Sequence, residues 1–508
     1  MPRLIVRALL LSLSLAAFNP ARAEAPATPA ISTAPVAAVP PLSLEDCVAR
    51  ALEKNFAVRI QNFAVSFARD QVIITKAGYD PTFGVTWQKA VVESPVELSS
   101  ISTTLGGANP QTNDQSTTLS LIQPVITGGT VTASYGLSRD YSNTVQTLLN
   151  PAYDGAVSLN ITQPLLQGAG IDYNRATIEI AQLGEKIANL NLKSSVLTTI
   201  YNVETAYSNL IYTRKQYVVG QDSLKLAQQL LDENTSKRNT GVLTDLDVVQ
   251  AQAGVATAQS ALIGFKQAMD NAEDTLLQAL GEREFKDPIG QVEFPALPTV
   301  NPSFAYSYKL ARDNGPNLAV VQATIEQYKL DALRAKRSNL PQLNAVAGAG
   351  YTSAEHTYQD ANSSVWSGPG YNWNVGLTLS IPIGMRATRA QYRQALANLQ
   401  SEQTTYDQTD QTLMVQVRAA VRAVLSNQEG VAAATLTTTL TQKQYELQKA
   451  KFDAGLATSY DVLQAQNALE TARVTQLQAE VNLRNALANL RFLEGTSLDV
   501  YHVMLAGK

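Results

Sequence analysis

The chain has 508 residues, a formal charge of −4 at neutral pH and a single cysteine. An acidic chain is not attracted to the phosphate backbone, so this charge argues against a nucleic-acid partner. The cysteine, Cys47, excludes an internal disulfide and lies too far into the chain to carry a lipid anchor behind a leader.

The first 23 residues have the pattern of an export signal. Arg3 and Arg7 precede the apolar run Ala8–Phe18, and Ala21-Arg22-Ala23 has the small-x-small form of a cleavage site. Residues 24–41 form an Ala- and Pro-rich spacer without a helical pattern. We therefore predict an exported protein, whose mature charge is about −7 because the leader contains three arginines.

Several segments alternate apolar and polar residues with the period of a β-strand. The clearest runs from Trp373 to Ile383, about the length that a strand of an outer-membrane barrel requires. A soluble sheet with one buried face would explain any single segment. The export signal, the number of segments and the lack of a later apolar run of ~20 residues together favour membrane strands. The other segments lie near Phe83–Val92, Ser116–Gln123, Thr130–Arg139, Ala156–Gln163 and Leu343–Tyr351.

Two long stretches contain no proline, one between Pro164 and Pro288 and one after Pro382. Proline breaks helix interiors, and these stretches are rich in the good helix formers Ala, Gln, Leu, Lys and Glu. A helix from about Tyr173 to about Arg238 would be ~100 Å long. Helices of this length do not fit within an ordinary globular domain.

One segment occurs twice. Gly241-Val-Leu-Thr-Asp-Leu-Asp-Val-Val-Gln-Ala-Gln returns 214 positions later, at Gly455, as Gly-Leu-Ala-Thr-Ser-Tyr-Asp-Val-Leu-Gln-Ala-Gln. The register continues to Gly281 and Gly495, which keep the same offset. A repeat of this length indicates a duplicated structural half.

Several motifs occur in a fixed order along the chain. They are Leu42–Asn55, Ala77–Pro81, Leu119–Pro124, Gln163–Gly168 and the two Gly-x-x-Thr-x-x-Asp-Val-x-Gln-Ala-Gln segments. This ordered set, which covers about Leu42 to Gly495 and thus almost the whole mature chain, resembles the TolC family of outer-membrane efflux proteins.

The resemblance implies an α+β membrane protein with two tandem structural repeats per chain. It implies a homotrimer whose strands close one outer-membrane β-barrel, continued by a long periplasmic α-helical barrel. We assign the first repeat to 42–281, a linker to 282–300, the second repeat to 301–495 and a tail to 496–508. Physical reasoning agrees, since unpaired strand edges cannot face lipid and must be closed by other copies.

The expected function is the passive exit duct of a tripartite efflux pump or a type I secretion system, exporting small toxic compounds or polypeptides. The implied partners are a periplasmic adaptor (membrane fusion) protein, an inner-membrane transporter and outer-membrane lipid, in a Gram-negative-type cell. A non-conducting structural coiled-coil protein of the periplasm or cell surface is the alternative, although such a fibre has no use for amphipathic strands.

The two glycine turns are the candidate functional site. Gly241 and Gly455 suit helix ends, and Thr244 and Thr458 suit the caps of the returning helices. By resemblance, the turns form the periplasmic tip that closes like an iris and contacts the adaptor. The tip residues are Gly241, Val242, Leu243, Thr244, Gly455, Leu456, Ala457 and Thr458.

The resemblance also implies a periplasmic constriction. It assigns Asp461 to a carboxylate ring and Asp247 to the network that holds the iris shut, although each acid also suits a helix start. The chain departs from the family pattern here, because Phe452 and Ala457 replace a Tyr and an Arg, and Gln464 replaces an acid. Other contacts must therefore hold the closed state. Lys237, Arg238 and Arg214 could supply them, or could simply be solvated.

No catalytic constellation or cofactor motif is found in the sequence. His356 and His502 have no second His or Cys at ligand spacing, and there is no Gly-rich phosphate loop. We therefore expect neither an enzyme nor a bound cofactor or metal.

The first half contains four strand patterns and the second half two. If all of them span the membrane, a trimer would have eighteen strands instead of the family's usual twelve. Otherwise the extra hairpin, turned at Gly128-Gly129, folds outside the membrane as part of the external loop. We prefer the external hairpin narrowly, because twelve helices suggest twelve strands, although the repeated Gln-Pro at Gln123 and Gln163 argues for the larger barrel.

Overall fold

A computed structural model describes residues 42–95, 109–143, 148–284, 289–296 and 300–503. The predicted leader and spacer, residues 1–41, lie outside the described residues. The helices are α1 (Leu44–Lys54), α2 (Phe56–Ala77), α3 (Ile171–Asn239), α4 (Asp245–Leu280), α5 (Phe304–Asn314), α6 (Pro316–Ser338), α7 (Tyr358–Ser367), α8 (Arg386–Asp453), α9 (Ser459–Glu494) and α10 (Ser497–Val500). The strands are β1 (Thr82–Glu93), β2 (Gln111–Pro124), β3 (Thr130–Ser142), β4 (Ala152–Pro164), β5 (Gln342–Glu355) and β6 (Tyr371–Ser380).

The proline-free stretches form the long helices that the sequence predicts. Helix α3 has 69 residues and α8 has 68, so each is on the order of 100 Å long. Their antiparallel partners, α4 and α9, have 36 residues each. No helix of the described chain combines the length and apolar character needed to cross a bilayer.

The long helices lie side by side in a fixed lateral order. In the lower part of the layer, which is the part between the hairpin turns and the middle of α3 and α8, α4 contacts α3, α3 contacts α9 and α9 contacts α8. Nearer the sheet the order is α2, α3, α6, α8, because α2 packs on α3 and α6 packs between α3 and α8. Helix α8 therefore lies at one edge of the layer, and α2 and α4 lie at the other.

Two apolar clusters stabilise this layer near the middle of the long helices. One joins α1, α3 and α4 around the fully buried Ile200, Leu210 and Leu276. The other joins α5, α8 and α9 around Val417 and Val424. The short helices α1 and α5 thus each cover one long hairpin.

The six strands form one antiparallel sheet in chain order, β1-β2-β3-β4-β5-β6. All six match segments whose alternation predicts a strand, to within five residues at each end. Strand β6 alone stops short of its predicted end, at Ser380, and leaves Ile381 and Ile383 outside. The prediction that it continues to Ile383 is wrong, and Pro382, which has no N–H for a ladder, explains the stop.

The β2–β3 hairpin is an integral part of the sheet, and its turn does not lie in a loop at the far end of the sheet from the helices. Its turn, Val125–Gly129, lies at the end of the sheet where α3 begins, and the N–H of Gly170 donates to the carbonyl of Thr127 at 3.2 Å. The side chain of Gln163 also bonds to Thr127. Strands β2 and β3 pair along their full lengths with β1 and β4. Counting helices against strands could not predict this, because the turn is held by the side chain of Gln163 in β4.

Candidate functional site at the hairpin tips

The two hairpin turns share one backbone design. At the end of α3 the N–H of Gly241 donates to Arg238 and that of Val242 donates to Lys237, while Gly241 adopts a φ of +77°. At the end of α8, Gly455 and Leu456 make the equivalent bonds to Phe452 and Lys451. These paired bonds define a Schellman motif, which requires the left-handed conformation that glycine adopts without cost.

The returning helices begin with matching capping boxes. The Thr244 hydroxyl accepts from the N–H of Asp247, and the Asp247 carboxylate accepts from the N–H of Thr244. Thr458 and Asp461 repeat this arrangement at the start of α9. The hydroxyl and N–H of Thr458 both donate to the carboxylate of Asp461 and lower its pKa below the usual value.

Each tip exposes a pair of apolar side chains at equivalent positions. In the first turn, Val242 is 71% exposed and Leu246 64%. In the second, Leu456 is 79% exposed and Tyr460 57%. The other tip residues divide in the same way. Leu243 and Ala457 pack inward on a small apolar cluster, while Gly241, Thr244, Gly455 and Thr458 face outward.

A charge network, which we call the tip lock, joins α3 to α8 just above the turns. The ammonium of Lys449 lies 2.5 Å from the Glu233 carboxylate and 3.6 Å from that of Asp453. Lys237 lies 3.8 Å from Asp453 and places its ammonium 3.9 Å from the centre of the Phe452 ring. Partial burial disfavours the charged Lys449, yet its contacts with Glu233 and Asp453 raise its pKa overall.

A buried amide lies beside the tip lock. Asn234 is fully buried, and its side-chain nitrogen donates to the Ser459 hydroxyl at 2.5 Å and to the Asp247 carbonyl at 3.1 Å. It therefore ties α3 to the first turns of both returning helices. Phe452, which is 3% exposed, packs with Leu230 and Val462 below it. The aromatic ring thus contributes packing and a face for a cation instead of a hydroxyl.

The structure separates the three predicted replacement cations. Lys237 alone reaches the other hairpin, as the tip lock requires. Arg238 pairs with Asp245 at 2.8 Å within its own turn. Arg214 lies far along α3, where it donates to the carbonyls of Ile289 and Gly290.

The predicted constriction residues lie at the starts of the returning helices. Asp247 and Asp461 are capping acids, and Gln464 is exposed one turn further along α9. Sequence reasoning missed Glu233, Lys449, Asp453, Asn234 and Ser459, because their pairing crosses between helices more than two hundred positions apart. The exposed pair Leu246 and Tyr460 could have been found from the sequence, since the two residues occupy equivalent positions in the repeated segment.

Comparison with known proteins identifies the family. The family of outer membrane efflux proteins matches residues 130–282 and 307–496, which is more than half of the chain. The chain belongs to this family. The efflux protein BepC of Brucella suis biovar 1 is 24% identical over 403 residues, covering 77% of this chain and 81% of BepC. TolC of Escherichia coli K12 is 23% identical over 382 residues, covering 70% of this chain and 74% of TolC.

Solved structures agree on the fold. The Campylobacter jejuni CmeC outer membrane channel superposes with a TM-score of 0.68 at 16% identity, covering 89% of this chain and 85% of CmeC. The predicted membership of the TolC family and the outer-membrane location are confirmed. This outer membrane efflux protein is thus a member of a family of channel proteins.

Proposed function

We propose that this efflux protein works as a homotrimer that forms the passive exit duct of a tripartite pump or a type I secretion system. The cargo would be small toxic compounds or polypeptides, driven by an inner-membrane transporter through a periplasmic adaptor. The single observation that carries this proposal is the pair of uncovered apolar helix edges, which another copy of the chain would cover.

The lower edges of the helical layer are apolar on both sides. Helix α4 exposes Leu246, Val249 and Ile263, each 58% or more exposed. These residues recur at helical spacing and form a stripe on one face. Helix α8, at the opposite edge, exposes Leu436, Leu440 and Leu447 in the same way. Packing α8 of one copy on α4 of the next would cover both stripes.

The edge that α2 forms nearer the sheet is apolar as well. Helix α2 exposes Ile60, Phe63, Phe67 and Ile74, each 60% or more exposed. At about 25 cal/mol per Å² of apolar surface, burying such large side chains would contribute substantially to assembly. With four helices per copy at each level, three copies would complete a tunnel of twelve helices.

The two tandem halves of the chain also support the proposed trimeric duct. Residues 42–281 and 301–495 each contribute two helices, then strands, a long helix and a returning helix of 36 residues. Each half has the same turn between its long and returning helices, so the trimer would present six tips of one design. The exposed Val242, Leu456 and Tyr460 suit an apolar contact with the adaptor.

Ion conduction and complex mass test the proposed duct. The detergent-purified protein should have the mass of three chains and should carry current in planar bilayers, most strongly in variants with a weakened tip lock. A trimer that carries no current even in those variants would favour the structural coiled-coil alternative.

Asp461 is expected to contribute to block by polyvalent cations. In the trimer three Asp461 carboxylates would concentrate negative charge at the mouth, so Asp461→Asn should weaken block by hexamminecobalt(III), measured as the half-blocking concentration. Asp247→Asn is the matched control, because it removes the same capping bond from the other hairpin. Equal effects of the two variants would assign the change to lost capping and would reject the ring.

A further inference from the structure

The extra hairpin β2–β3 continues both faces of the sheet without interruption. One cross-strand row runs Phe83, Leu121, Ala133, Leu159, Ala349, Trp373 from β1 to β6. The adjacent row runs Gly84, Ser120, Ser134, Ser158, Gly350, Asn372. The hydroxyls of Ser134 and Ser158 bond at 2.7 Å within the polar row. The hairpin thus has the same apolar and polar faces as its neighbours.

The hairpin also shares a band without charged residues. From the helix end of the sheet, the first charged side chain of β1, β3 and β5 is Lys89, Arg139 and Glu355 respectively. All three fall in one cross-strand row through Gln115 and Tyr153. Below them β3 contains nine uncharged residues, Thr130 to Ser138. At a tilt of about 40° and ~3.3 Å per residue, nine residues rise about 23 Å, close to the ~25 Å apolar band of outer-membrane barrels.

We propose that β2 and β3 are part of the membrane wall, so that the trimer closes an eighteen-stranded barrel through β6 of one copy and β1 of the next. This inference rests on the proposed trimeric duct. The row beginning at Phe83 would face outer-membrane lipid, and the row beginning at Gly84 would line a neutral, polar lumen. Helix α7 covers this apolar face at Tyr135, where the Trp366 ring stacks on the Tyr135 ring. Nearer the helices Leu121 and Leu159 stay exposed, as a wall facing lipid would require.

The direction of the edge strands permits this closure. Strands alternate along the sheet, so β1 and β6 run in opposite directions and would pair antiparallel between copies. Strand β6, at one edge of the sheet, keeps the apolar face, and its Trp373, Val375 and Leu377 are each 70% or more exposed. Closing the ring would remove both edges, which lipid cannot satisfy.

The width of the helical layer is compatible with six strands per copy. Four helices at ~8–10 Å spacing span an arc of about 32–40 Å. Six strands at ~4.8 Å spacing and a tilt of about 40° span about 38 Å, whereas four strands would span only about 25 Å. Circumference alone therefore permits six strands per copy above four helices, because a helix is wider than a strand.

Cysteine labelling on intact cells tests the placement of the hairpin. The native Cys47 gives little background, because it is fully buried and burial raises the pKa of its thiol to about 12. Single cysteines replace Leu121 and Ala133 on the apolar face and Ser120 and Ser134 on the polar face. A membrane-impermeant sulfonated maleimide should label the polar-face positions at least about tenfold faster than the apolar-face positions. Asn374→Cys and Val375→Cys on β6 provide the matched control pair.

The control pair separates failure of this inference from failure of the duct. Fast labelling on both faces of the hairpin, with normal alternation at Asn374 and Val375, would place the hairpin in water and leave the duct intact. Slow labelling of the cysteines on both faces would show that the hairpin is buried in protein, and this result would equally overturn the eighteen-stranded barrel. Equal labelling rates at Asn374→Cys and Val375→Cys on β6 would reject the membrane barrel altogether.

Discussion

Replacing Gly281 by alanine is expected to destabilise the protein far more than the same replacement at Gly241. Both glycines have a φ of +77°, so both variants incur the ~1–2 kcal/mol of a left-handed alanine. At Gly281 the new Cβ would also lie 2.8 Å from the backbone carbonyl of Lys54, while at Gly241 it would meet nothing within 4 Å. The overlap should add ~1–3 kcal/mol, giving a total of about 2–5 kcal/mol.

Thermal unfolding of the purified variants in one detergent measures this difference. Gly241→Ala should lower the midpoint slightly, and Gly281→Ala should lower it several-fold more or prevent recovery of folded protein. The contact at Gly281 joins α4 to the junction of α1 and α2, where Lys54 also pairs with Glu282 at 2.7 Å. Equal midpoint shifts for the two variants would contradict the close approach at Gly281.

Breaking the tip lock is expected to open the duct. Lys449→Met removes the contacts to Glu233 and Asp453, and adding Lys237→Ala removes the remaining cation from this site. Partly buried charge pairs contribute ~1–2 kcal/mol together, so the ratio of open to closed channels should rise by about 5- to 30-fold. Single-channel recording in planar bilayers measures this ratio directly.

Two controls distinguish the tip lock from a general change in charge. Lys443→Met removes the same charge from an exposed position on the same helix and should leave gating unchanged. The exchange Glu233→Lys with Lys449→Glu restores a pair in reverse and should return the ratio toward that of the unmodified protein. Opening by Lys443→Met as readily as by Lys449→Met would rule out a specific lock.

The sequence predicts the long helices and the strands because their signals are local. The lack of proline between Pro164 and Pro288 allows α3, and alternation marks at least part of every strand. The place of the β2–β3 turn depends on Thr127 meeting Gln163, a contact between strands that no local pattern encodes. The end of β6 was misjudged because the alternation continues through Pro382, although the hydrogen-bond ladder does not.

In the candidate site too, local motifs could be predicted from the sequence and contacts between distant residues could not. Glycine and threonine at fixed offsets predict both turns and both caps, since these motifs involve residues within one turn of each other. The tip lock could not be predicted, because Glu233 and Lys449 meet only after two separate helices pack together. Replacement of the family Tyr by Phe452 indicated that other contacts must exist, but not which residues make them.

The pairing of β4 with β5 has a consequence for the order of folding. The other four strand pairs join neighbours in the chain, whereas this one joins Pro164 to Asn344, about 180 residues away. Closing so long a segment costs entropy that must be recovered from contacts formed first within it. The packing of α3 on α6 brings the ends of the segment together. We therefore expect the four-stranded piece β1–β4 and the hairpin β5–β6 to form separately and to join only after the helices have docked.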